Sequence, residues 1–321
     1  MLSNDPMVPK TGFYRKLFIY LKDNWLTWFF YVSIVALFVT LYRRDYIALP
    51  ENIDYAFLSF SLFLLFAGFL LQALSYKYVL QAYGYPIKSR DSVIAFGLSV
   101  LSKYIPGKFW VHLGRGGYIR KKYDYPFGEL VYISLYSQFM GMWNVIFFCS
   151  LGVFFLDVEW YIRVIIILAG LILSVVIFTR FFHIISGKIV QKALKKQVSI
   201  PALSFKNNIK VLPVFFVFWL LYAMAFYFLA MSMDVVLKPL GIIYFPLSTV
   251  LGIAAVFAPG GLGLREASLV GLLTLENVAA VTATTLAALS RIWFLAGELF
   301  TLVLALILKA AERWSSRRLS A

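Results

Sequence analysis

Six long apolar runs constrain this chain more than any other feature. They are, roughly, Trp25–Leu41, Ala56–Ser75, Leu130–Leu156, Tyr161–Phe182, Val211–Met233 and Val278–Leu308. A helix that crosses a bilayer needs about 20 mostly apolar residues, so each run is read as a span. Composition agrees: 62% of the 321 residues are apolar and 14% are charged, against about 45–50% and about 25% in soluble domains. An ordinary soluble fold is excluded, and aromatics at 18% suit belts at the membrane–water interface. Trp25, Trp28, Trp160 and Trp314 fall near span ends, where such anchors belong. The expectation is an all-α multi-pass membrane protein forming one transmembrane domain over residues 1–321.

Lysine and arginine number 30 against 15 acidic residues, a net charge of +15. In a soluble chain that excess would raise nucleic acid as a partner. Here the excess of Lys and Arg in cytoplasmic loops explains it, and no nucleic-acid partner is expected. The arm 1–24, the region 76–128, the loop 188–210 and the tail 309–321 carry the basic residues and are expected in the cytoplasm, both termini included. The loops holding Asp45, Glu51 and Asp54, and Asp157 and Glu159, are expected outside. No small-residue cleavage site follows Trp25–Leu41, so that run is read as a retained span. Cys149 is the single cysteine, and His112 and His183 lack metal-ligand spacing, so no disulfide, metal or cofactor is expected.

Two further apolar stretches break the pattern. Ser92–Ser102 is too short to cross, and Gly241–Ala258 runs into Pro259-Gly260-Gly261-Leu262-Gly263 before a second stretch ending at Leu275. Each half of the chain, 56–156 and 211–308, then reads as span, short apolar segment, Pro-Gly break, span. This predicts a bundle of about 6–8 transmembrane helices with two re-entrant or broken segments, arranged as an inverted repeat. Interrupted segments at matching positions in such a repeat are a pointer to a transporter's binding site.

Three constellations carry candidate chemistry. Lys103, Lys108 and Arg115 surround the Pro106-Gly107 turn and suit an anionic head-group; a cytoplasmic loop with a proline turn is the plain alternative. Gly260, Gly261 and Gly263 precede a helix start beside Arg265 and Glu266, where exposed backbone N–H groups and the helix dipole favour an anion. Glycines that merely let helices pack closely are the alternative there. In the last span Thr284, Arg291 and Glu298 recur every seven residues on one face. Ionisable residues within a span mark function or a structural ion pair, such as Glu298 with Arg265 or Arg291 with Glu266. Gln138 and Asn144 are read as interhelical hydrogen-bonding residues.

The runs Lys103-Tyr104-Ile105-Pro106-Gly107-Lys108 leading to Gly114-Arg115, and Pro259-Gly260-Gly261-Leu262-Gly263-Leu264-Arg265-Glu266, resemble the transmembrane family of lysylphosphatidylglycerol synthases. The likeness of layout covers roughly residues 15–310. It implies a helical bundle with re-entrant helices that moves a polar-headed lipid between leaflets, and it points to those basic, proline, glycine and acidic positions. It also implies the cytoplasmic (inner) membrane of a bacterium or archaeon. Synthase members continue into a soluble aminoacyl-transfer domain, whereas this chain stops at Ala321, so lipid lysinylation by this chain alone is not expected. The expected function is a flippase for an anionic or phosphate-bearing lipid, phospholipid or polyprenyl-linked. The competing expectation is a membrane transferase, or its partner, in polyprenyl-phosphate-sugar chemistry of the envelope, with Asp124, Glu129, Glu266 and Glu298 as the carboxylates at hand. A membrane lipid is the expected partner, with a second copy of the chain or envelope-synthesis enzymes as further candidates.

Overall fold

A computed structural model describes Arg43 and residues 52–104, 109–152, 159–178, 180–195, 205–254, 261 and 263–319. Among them are ten α-helices and no strand: α1 (Tyr55–Ala82), α2 (Ser89–Ser99), α3 (Trp110–Tyr123), α4 (Phe127–Gly152), α5 (Trp160–Phe178), α6 (Arg180–Leu194), α7 (Phe205–Met231), α8 (Tyr244–Ala254), α9 (Leu264–Leu275) and α10 (Ala280–Leu319). A 3-10 turn, Val100–Tyr104, continues α2, and another, Pro239–Ile243, leads into α8. The chain is a multi-pass helical membrane protein, with α1, α4, α7 and α10 long and apolar enough to cross.

Local sequence sets the ends of these helices. Asp54 caps α1, its Oδ1 accepting from the backbone N–H groups of Ala56 at 2.8 Å and Phe57 at 3.2 Å. The stops after α3, α7 and α9 fall at Asp124, Asp234 and Asn277, with φ of 56°, 59° and 65°. Asp and Asn tolerate this left-handed conformation better than other side chains, because their short polar groups bond locally.

Several boundaries differ from the sequence reading. Trp25–Leu41 and the arm 1–24 lie outside the described residues. The run Tyr161–Phe182 divides into α5 and α6. Its last apolar residues belong to a second helix whose outer side mixes Ile184, Ile185 and Ile189 with Lys188. Among the described residues of Gly241–Ala258 are the end of a 3-10 turn and the 11-residue α8, about 17 Å of helix and by itself too short to cross. The tail expected from residue 309 continues as helix to Leu319. Glu312 holds it there, accepting from Arg90 Nη2 at 3.2 Å and from Lys122 Nζ.

The two halves repeat one order: long helix, short helix, break, short helix, long helix. Their first members, α1 and α7, pack antiparallel, as an inverted repeat requires. Asp54 N–H donates to the Ser232 carbonyl (2.9 Å) at one end, and Asn207 Nδ2 donates to the Ala82 carbonyl (3.4 Å) at the other. The α2/α3 pair therefore starts from the end that carries Arg90, Lys122 and Glu312. The α8/α9 pair starts from the opposite end, where Tyr244 O–H donates to Glu276 at 2.9 Å. Close approach lets α2 lie on α10: a Cβ added to Gly97 would overlap the Thr301 carbonyl oxygen. The described residues flanking the two breaks thus reach α10 within about two turns of each other, Lys103 and Tyr104 at Glu298 and Glu266 at Arg291.

Candidate functional site

The first break delivers its side chains to α10. Lys103 Nζ forms an ion pair with Glu298, and Tyr104 O–H donates to the other carboxylate oxygen at 2.9 Å. Glu298 is fully buried. Of the two ion pairs the sequence offered, Arg291–Glu266 is present at 3.5 Å, whereas Glu298 is taken by Lys103 rather than by Arg265. The 3-10 turn after α2 carries Lys103 to α10, a proximity that sequence spacing does not reveal.

At the second break, Gly261 sits in a tight piece of backbone. Gly261 has φ of 73°, and an added Cβ would come within 2.8 Å of the carbonyl carbon and oxygen of Gly252. Gly263 has φ of 81° but faces open space. Glu266 reaches back from the first turn of α9, its Oε2 accepting from Gly263 N–H at 2.8 Å, while Oε1 faces Arg291. Glu266 therefore holds the helix start and Arg291 together. Gly261→Ala meets both strain and overlap, each worth about 1–3 kcal/mol; Gly263→Ala meets strain alone. Thermal unfolding in detergent is expected to show the larger loss for Gly261→Ala, and the reverse order would contradict this geometry.

Arg265 is only 4% exposed, and its guanidinium lies against two rings that also touch each other, Phe245 (4.8 Å) and Phe294 (4.9 Å). No described carboxylate lies within ion-pair distance of it, and its buried Nη2 has no hydrogen-bond partner. Cation–π contact recovers part of the lost hydration, yet a buried charge without an acidic partner is costly. Arg115 is held similarly: it stacks on Phe96 at 4.4 Å, and its Nε donates to Ser99 Oγ at 3.3 Å.

Lys103, Arg115 and Arg265 line one cavity of about 150 Å³. Its wall adds the neutral polar groups of Gln72, Ser75, Ser137, Gln138 and Thr249, and rings that include Phe69, Trp219, Tyr222 and Phe294. No aspartate or glutamate is among the described lining residues. The structure brings together Lys103, Arg115, Gly261 and Arg265 on the cavity. Glu266, Arg291 and Glu298 stand behind it as ion-pair partners, and Gly263 opens α9. Lys108 and Gly260 lie outside the described residues, as do Pro106, Gly107 and Pro259. Thr284 bonds only the carbonyl of Ala280, at 2.8 Å, one turn back in its own helix.

Sequence reasoning missed several neighbours. Gln138, read as an interhelical residue, lines the cavity. Gln72, which accepts from Tyr222 O–H at 2.9 Å, was detectable as a lone amide in an apolar run. Phe245 and Phe294, which lie against Arg265, carry no such signal among 31 phenylalanines.

No curated protein and no solved structure matches the chain. A model of the lysylphosphatidylglycerol synthase TM region matches residues 27–297, more than four-fifths of the sequence and including both breaks and Glu266, Arg291 and the cavity residues. The chain belongs to the family of lysylphosphatidylglycerol synthase transmembrane regions.

Proposed function

We propose that this protein is a flippase that moves a lipid with an anionic, phosphate-bearing head-group between the leaflets of a bilayer. One observation carries the reading: three cationic side chains meet on a cavity that has no carboxylate in its described wall. In a membrane interior, ionisable groups persist where they face a pathway or one another. The short-helix pairs α2/α3 and α8/α9, starting from opposite ends, would give that cavity a short route to each leaflet, as re-entrant segments do in transporters built from inverted repeats. The head-group passes from the basic end, which we place in the cytoplasm by its Lys77, Lys88, Arg90, Lys121 and Lys122, onto Lys103 and Arg115 and then Arg265. Acyl chains remain in lipid, beside outward-facing Ile165, Leu168 and Ile172 of α5.

Of the four carboxylates named for a membrane transferase, three are engaged: Glu129 accepts from Tyr85 O–H, Glu298 holds Lys103, and Glu266 holds Arg291. Asp124 is exposed at the end of α3, and none of the four is among the described residues of the cavity wall. The test is transbilayer movement in vesicles that contain the purified full chain. Acyl-chain-labelled phosphatidic acid and phosphatidylglycerol are expected to reach the far leaflet faster than in protein-free vesicles, read with an impermeant quencher. Movement of neither would contradict the proposal.

A further inference from the structure

The charge balance around the cavity says more about the head-group than that it is anionic. Four cations cluster here, and two are matched: Lys103 by Glu298 and Arg291 by Glu266. Arg115 and Arg265 are not; no described carboxylate lies within ion-pair distance of either, and Arg265 also keeps an unpartnered buried Nη2. The described parts of the site therefore present two uncompensated positive charges to one cavity. Both guanidiniums are fixed against rings, Arg115 on Phe96 and Arg265 on Phe245 and Phe294, with forks that match phosphate oxygens. An ammonium group entering the same space would meet only hydroxyls, amides and rings, with three cations alongside.

We infer that the preferred substrate is a lipid ending in a doubly charged phosphate, a phosphomonoester, rather than a phosphodiester or an amine-bearing lipid. This rests on the flippase reading and sharpens it. A phosphodiester brings one negative charge and leaves one arginine uncompensated. A phosphomonoester brings about −1.5 to −2 near pH 7, because its second proton leaves near pH 6, and offers three oxygens to the two forks. An amine-bearing head-group adds a positive charge to a site that already has a surplus. The recognised chemistry is the terminal phosphate, on either a diacylglycerol or a polyprenyl tail.

The experiment is competition for transbilayer movement in vesicles holding the full chain, with labelled phosphatidic acid as reporter. Unlabelled competitors are phosphatidic acid, a polyprenyl monophosphate, phosphatidylglycerol and phosphatidylethanolamine. The monoesters are expected to compete at least about tenfold more strongly than phosphatidylglycerol, about one charge-assisted hydrogen bond's worth, and phosphatidylethanolamine least. Lowering the pH from about 7.5 to about 5, across the second phosphate ionisation, should erase most of the monoester advantage in the unaltered protein. Arg115→Gln and Arg265→Gln should each shrink it too. Equal competition by monoester and diester at both pH values would overturn this inference and leave the flippase reading standing. Strong competition by phosphatidylethanolamine would also overturn it. Failure of every anionic lipid to move would bring down the flippase reading itself. Monoester preference confined to one tail keeps the inference and names the source.

Discussion

Arg265→Met is expected to cut transport of an anionic lipid by about a hundredfold without lowering thermal stability. The fold-change follows from losing a desolvated charge contact with the head-group, worth about 2–5 kcal/mol in comparable sites. The stability half of the expectation is the more discriminating. Arg265 has no described carboxylate partner, so its removal strands no buried anion. Methionine fills similar space beside Phe245 and Phe294, and replacing a buried charge with a well-packed apolar side chain is often neutral or stabilising. Arg265→Lys should keep part of the transport, since a point charge still attracts phosphate without the fork. Transport rate and melting temperature should be measured on the same preparations. A sharply destabilised Arg265→Met protein would mean that Arg265 serves the fold and not a substrate.

Glu298→Leu is expected to do the opposite, costing about 3–5 kcal/mol of stability because it leaves the Lys103 ammonium in the bundle without its partner. Glu298 is fully buried and holds both Lys103 and the Tyr104 hydroxyl. It thereby fixes the turn after α2 against α10. Adding Lys103→Met should restore much of the loss, whereas adding Arg265→Met should not. Denaturation in detergent on the two double variants separates these outcomes. A Glu298→Leu protein as stable as the parent would refute the assignment of this pair.

The fold was legible wherever one physical rule dominated. The apolar length of Ala56–Ser75, Leu130–Leu156, Val211–Met233 and Val278–Leu308 marked four long helices, because hydrocarbon leaves the backbone little choice. The shared order of long and short helices in the two halves was legible from the short apolar segments, while the Pro-Gly runs lie outside the described residues. The division between α5 and α6 was not, because Phe181 and Phe182 extend the apolar run past Arg180 without regard to where the helix ends. The helical tail was missed because Glu312 finds Arg90 and Lys122, which are remote in sequence.

Within the candidate site, sequence singled out Lys103, Arg115 and Arg265 as cations but could not assign partners. Two arginines and a lysine compete for Glu266 and Glu298, and only the packed bundle decides that Arg265 goes without. The aromatic contacts of Arg265 were illegible for a related reason. Phe245 and Phe294 are ordinary apolar residues of two helices until the fold sets both against one guanidinium.

The central claim is that a phosphate head-group occupies the cavity between the two breaks. Photo-crosslinking tests it directly, using phosphatidic acid with a photoreactive group beside its phosphate, full-length protein in vesicles, and mass spectrometry to locate adducts. Adducts are expected on cavity-lining residues such as Phe96, Gln138 and Thr249, and they should be lost in Arg265→Met. Adducts confined to the outward face of α5, at Ile165, Leu168 and Ile172, and unchanged in Arg265→Met, would contradict the account.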